Sequence, residues 1–229
     1  MDTTTKERPI IFRGDGVLGI LEDRKTMTRR VIKPQPPVDC QEWAGWIISS
    51  TSKREVGDAT WTDVSGSLYN KDYHIKCPYG EPGDRLYVKE TWAPMCRVAD
   101  PFCACDEEAA KKNHYIEYKA DTGNPLPGDW PEESREDEGC PKWRSPIFMP
   151  RWASRITLEV ERIRVERIQD ISEADAFAEG ISGGDWLGDP VGEFAKLWNS
   201  INEKRGFGWE TNCWVWVLEF KRIDNAKAD

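Results

Sequence analysis

Glu22–Lys33 reads EDRKTMTRRVIK, and the rest of the chain is understood from this stretch outward. Lys25 stands three residues before the hydroxyl of Thr28, Arg29 and Arg30 follow at once, and Arg24 and Lys33 extend the basic cluster. Concentrated cations attract phosphate or carboxylate, and a lysine beside a hydroxyl suits nucleophilic chemistry. The same residues also suit a solvated turn leaving a short helix. Upstream, Pro9–Phe12 (PIIF) predicts a strand, and Asp15 predicts the cap of a brief helix with Val17, Ile20 and Leu21 at helical spacing. That helix is expected to end near Arg24, where cations suit the negative end of its dipole. Pro34, Pro36 and Pro37 forbid further helix.

Downstream, residues 38–76 predict an elaborated hairpin region carrying Trp43, Trp46, Trp61, Tyr69 and Tyr73. Tyr79–Asp84 (YGEPGD) is turn chemistry, and Arg85–Glu90 (RLYVKE) alternates as a strand with Leu86 and Val88 on one face. Residues 93–146 gather cysteines, prolines and acids, as a surface insertion does, with one strand expected at Tyr115–Lys119. Ile156, Leu158 and Val160 alternate, then the phase slips at Glu161–Arg162 and resumes at Ile163 and Val165, which predicts a bulge or tight bend. Ser172 with Asp175 is an N-cap signature for a short helix toward Gly180. Phe194, Leu197, Trp198 and Ile201 form the stripe of a helix over Val191–Asn202. Cys213–Phe220 (CWVWVLEF) is apolar on both faces, as a central strand is. Many short strands with few helices predict a mainly β, α+β fold: a β-barrel with helical decorations.

With 229 residues, the chain is expected to form one domain with insertions at about 38–76 and 93–146. A net charge of −9 repels nucleic acid at long range, so any such contact needs a local basic face. No apolar run reaches the roughly 20 residues of a membrane helix, and MDTTTKERP lacks the plan of a signal peptide. Seven cysteines, an odd number, point to reduced thiols in a cytoplasm.

The turn at Asp23–Arg30, the strand Gly83–Val88, the helix start at Ile171–Ile181 and the terminal strand Val215–Phe220 resemble the ASCH superfamily. More narrowly, the chain is similar to the long ASCH-domain proteins of phages and prophages of enteric bacteria. The resemblance implies a β-barrel related to the PUA RNA-binding domain. It also implies a function, because small members hydrolyse the amide of N4-acetylcytidine while others bind RNA or are assigned ribonuclease activity. By that resemblance the catalytic positions are Lys25, Thr28 and Glu179, and no cofactor is required. Chemically, Lys25 would serve as base for the Thr28 hydroxyl, and Glu179 would orient the lysine or protonate the departing amine. As a surface lysine, Lys25 is expected to contribute little to stability. Without the resemblance, Glu179 reads as a solvated helix residue.

Other constellations offer binding chemistry. Arg24, Arg29 and Arg30 can anchor an anionic substrate, and Met149–Arg155 (MPRWASR) sets Arg151 and Arg155 around Trp152. Those arginines can bind phosphate while Trp152 stacks on a base, or Trp152 can simply anchor a core. Cys96, Cys103, Cys105 and Cys140 can supply thiolates to a structural zinc, with His114 as a substitute, although C-x6-C-x-C is not a paired knuckle. No Gly-rich phosphate loop, H-E-x-x-H or Ser/His/Asp set is present, and His74 and His114 are the only histidines. Two functions follow: an amidohydrolase of an N4-acylated cytidine or similar modified nucleoside or RNA base, or a non-catalytic RNA- or nucleotide-binding phage protein. A nuclease ranks third, lacking an acidic metal cluster or histidine pair.

Overall fold

The computed structural model describes residues 5–37, 40, 42–48, 50, 52, 54–62, 73–95, 108, 111, 116–122, 142–182 and 188–223. These are α+β, mostly strands with short helices. The chain forms two compact units, one from Met1–Asp23, Arg85–Glu159 and Arg222–Asp229, the other from Arg24–Asp84 and Val160–Lys221.

In the first unit, β1 (Glu7–Ile11) runs parallel to β6 (Arg85–Lys89), with Glu7 opposite Arg85. β6 is antiparallel to the start of β9 (Thr157–Arg167), with Leu86 opposite Leu158. Ile10, Leu86, Val88, Ile156 and Leu158 are buried, each worth about 1.5–3 kcal/mol relative to exposure. Helix α1 (Gly14–Leu21) buries Val17 and Ile20 at the expected spacing. Its cap position is Arg13 rather than Asp15, because the helix already begins at Gly14; Asp15 lies in the first turn and complements the dipole there. Within the 93–146 region, β7 (Trp92–Pro94) pairs antiparallel with β8 (Ile116–Tyr118), and α2 (Lys119–Thr122) follows.

In the second unit, the remainder of β9, then β10 (Trp214–Ile223), then β2 (Met27–Val31) are hydrogen-bonded in that order. The basic stretch is therefore largely a strand: the turn is confined to Glu22 and Asp23, with Asp23 at φ 56°. β2 and β10 are antiparallel, with Val217 opposite Arg29 and Leu218 opposite Thr28. On one face of β10, Val215 and Val217 join Met27, Ile168, Ile171, Ala176, Phe194 and Trp198 in a buried core. That core includes residues of α3 (Glu173–Ala178) and α4 (Pro190–Asn202). On the other face, Trp216 stacks on Trp46 at 6.0 Å and Trp214 meets Trp61 edge-on at 5.7 Å. Those partners belong to an antiparallel sheet of β3 (Glu42–Trp46), β4 (Ala59–Thr62) and β5 (Tyr73–Ile75), which is the expected hairpin region. Packing on both faces is why β10 is apolar on both.

Along β9, Glu161 and Arg162 are exposed in succession before burial resumes at Ile163, which is the phase slip in the sequence. The slip falls where the strand leaves the first unit for the second. Among the described residues no sheet closes on itself. Just ahead of β2, Lys25 and Thr26 meet Glu179 and Ala178 at the end of α3.

Candidate active site

Lys25, just before β2, forms an isolated antiparallel bridge with Glu179, and the neighbouring Thr26 N–H donates to the Ala178 carbonyl at 2.9 Å. This backbone contact brings the two side chains together. The Lys25 ammonium donates to Glu179 Oε2 at 2.6 Å and to the Glu179 carbonyl at 2.6 Å, across 154 residues of sequence. Both residues are buried, at 8% and 7% exposure, so Glu179 is not a solvated helix residue and Lys25 is not a surface lysine.

Gly180 is what lets the helix end turn so close. Its φ is +89°, which L side chains rarely adopt, and a Cβ there would stand 3.2 Å from Lys25 Cβ. Its carbonyl accepts from Arg24 Nη1 at 3.2 Å.

Arg29 is fully enclosed. Its Nη2 donates to Asp175 Oδ2 at 2.5 Å and to Glu166 Oε2 at 3.1 Å, and its Nη1 lies 3.6 Å from Glu179 Oε1. Arg164 braces the same carboxylates, reaching Glu166 at 2.5 Å and Asp175 at 3.2 Å. Burial works against the Asp175 charge, but hydrogen bonds and charge from Arg29 and Arg164 outweigh it and hold its pKa below the ordinary value. Arg29 therefore serves the carboxylates and not an incoming phosphate. Arg30 is half-buried on the opposite face of β2; burial lowers its pKa, opposed by Tyr79 and Glu179. Thr28 shares that opposite face by strand alternation. Thr28 itself is buried, at 5% exposure.

Asp175, Glu166 and Arg164 escaped the sequence reading. Asp175 was legible only as a capping partner, and its N–H does donate to Ser172 Oγ at 3.1 Å, but its carboxylate turns to Arg29. Arg164 and Glu166 alternate with apolar residues along β9, a pattern that reads as a solvated face.

The expected phosphate-and-stacking set lies in the first unit, and its cations are occupied. Arg155 grips Glu90 (2.9 and 3.1 Å) and Asp121 (2.7 and 2.8 Å) bidentately and covers the Tyr118 ring at 4.0 Å. Burial opposes the Arg155 charge, yet the hydrogen bonds it donates to Asp121 and Glu90 raise its pKa; burial also pushes the Tyr118 phenol up to about 12. Arg151 is paired bidentately with Glu7 at 2.7 Å. Trp152 is half-buried, edge-on to Trp92 at 5.9 Å, as a core anchor is. Cys96, Cys103, Cys105, Cys140 and His114 lie outside the described residues. Among the described residues no cluster of His, Cys, Asp and Glu could hold a metal, and no helix is long and apolar enough to cross a membrane. No protein-family model, curated protein or solved structure matches this chain.

Proposed function

We propose that this protein is an ASCH-like, PUA-related amidohydrolase that removes an acyl group from N4-acylated cytidine or a similar modified nucleoside or RNA base. The observation that carries it is the buried Lys25–Glu179 contact at 2.6 Å, made by two residues that the resemblance assigns to catalysis. A proton shifted within this pair leaves a neutral amine and a carboxylic acid, so one contact supplies both base and acid. The amine takes the Thr28 proton as Oγ attacks the acyl carbon, and the acid protonates the departing amine as the C–N bond breaks. Water then hydrolyses the threonyl ester, releasing the carboxylic acid. This step requires the Thr28 hydroxyl to come within hydrogen-bond reach of Lys25 in the substrate complex, where catalytic hydrogen bonds commonly tighten.

The relation to the PUA barrel rests on this constellation and on the β2–β10 pairing that carries it, not on closure of the sheet. The paired state of Arg29, Arg151 and Arg155 favours hydrolysis over a phosphate-binding module. Incubation with a panel of acylated and alkylated nucleosides, with mass detection, tests the proposal. Wild type releases acetate from N4-acetylcytidine and Lys25→Arg does not, because a guanidinium stays protonated and cannot accept the Thr28 proton. An arginine variant as fast as wild type would rule out Lys25 as the base.

A further inference from the structure

The two carboxylate oxygens of Glu179 have different surroundings. Oε2 takes the Lys25 ammonium, whereas Oε1 is buried and accepts no hydrogen bond among the described residues. The Glu179 side chain is only 5% exposed, and an acceptor so enclosed ordinarily finds a donor. Arg29 Nη1 lies 3.6 Å from Oε1, at ion-pair distance but beyond a hydrogen bond. Its Nη2 is held by Asp175 and Glu166, and its Nη1 donates to Met27 Sδ at 3.4 Å. Asp175 is itself fixed, with Arg164 on the same oxygen and its N–H on the Ser172 cap. These tethers hold the planar guanidinium with Nη1 outside hydrogen-bond range of Oε1.

We infer that Arg29, tethered by Asp175 and Glu166, is a positioning residue that gives Oε2 to Lys25 and keeps Oε1 as a vacant acceptor for a substrate N–H. The inference rests on the hydrolytic function for its substrate and narrows it to secondary amides of an exocyclic amine. The N–H of N4-acetylcytidine meets Oε1, and the tertiary amide of N4-acetyl-N4-methylcytidine has no proton to offer. A site built to receive a donor discriminates strongly against an analogue that lacks it.

The test is Asp175→Asn, which weakens the stronger tether while keeping the side-chain shape. Its crystal structure is expected to show Arg29 Nη1 closed onto Glu179 Oε1 at about 3 Å, a normal charge-assisted bond. Its kcat/KM for N4-acetylcytidine is expected to fall about 10- to 100-fold, the usual effect of a small misplacement. The wild-type preference for the secondary over the tertiary amide should fall with it, a change that a merely structural role for Asp175 would not produce. Glu166→Gln, which loosens the second tether, should move distance and preference the same way by less, and stands in if Asp175→Asn does not fold. An Arg29 that stays near 3.6 Å from Oε1 with the preference intact overturns the inference. If wild type hydrolyses no acylated nucleoside but Arg29 still closes on Oε1 in the variant, the positioning role stands and the hydrolytic function falls.

Discussion

Lys25 is where residue type and surroundings diverge most from the linear pattern. A lysine among arginines after a short helix looks solvated, yet its ammonium is sealed against Glu179. Removing one partner of a buried ion pair leaves an uncompensated charge, which costs about 3–5 kcal/mol. Lys25→Ala is therefore expected to destabilise the fold by roughly 3 kcal/mol in urea denaturation. The double variant Lys25→Met, Glu179→Leu should recover much of that loss. A Lys25→Ala protein as stable as wild type would place the pair in solvent. Asp175 carries a second prediction at this scale. Its pKa is depressed in the folded state, so its contribution is full above the unfolded value near 3.9 and is lost as pH falls through the folded value. Melting curves of wild type and Asp175→Asn should be well separated at pH 7 and converge toward pH 3; a gap that widens in acid would contradict the assigned ion pairs.

At the scale of elements, the end of α3 sets the site. Gly180 permits a left-handed turn with Lys25 packed beneath it, and an alanine there meets both strain and crowding. Gly180→Ala is expected to cost about 1–2 kcal/mol and to lower turnover, because it pushes the Lys25 stem from Glu179. Full activity with unchanged melting would show that the turn is not what seats the lysine. The strands Arg85–Lys89 and Trp214–Ile223, the Ser172 cap and the Phe194–Trp198 stripe were legible because each is written in local periodicity or a short motif. The parallel pairing of β1 with β6 and the edge contact of Glu179 with Lys25 were not, because each joins residues far apart in sequence. Arg29 was legible as a cation but not as a buried one, since only the meeting of α3 with β2 and β9 supplies its carboxylates.

For the whole molecule, charge placement matters more than its sum. The net charge is −9, and the cations named as candidate anion contacts are largely committed to internal acids. Non-specific affinity for nucleic acid grows with the number of phosphates neutralised and is salt-dependent. Binding of unmodified single-stranded RNA, followed by fluorescence anisotropy, is expected to be weaker than about 100 μM in 0.15 M salt, the weak end of non-specific association. Micromolar binding with a steep salt slope would favour the binding-module function.

The segments of the two units interleave along the chain, and this bears on synthesis. β1 must wait for β6 to emerge before it can pair, and β2 must wait for β10. A nascent chain arrested before Trp214 thus carries β2 without β10, and Lys25 waits 154 residues for Glu179. Such distant pairings bear a closure entropy before any contact rewards it, so Lys25 leaves the ribosome long before the residues that enclose it.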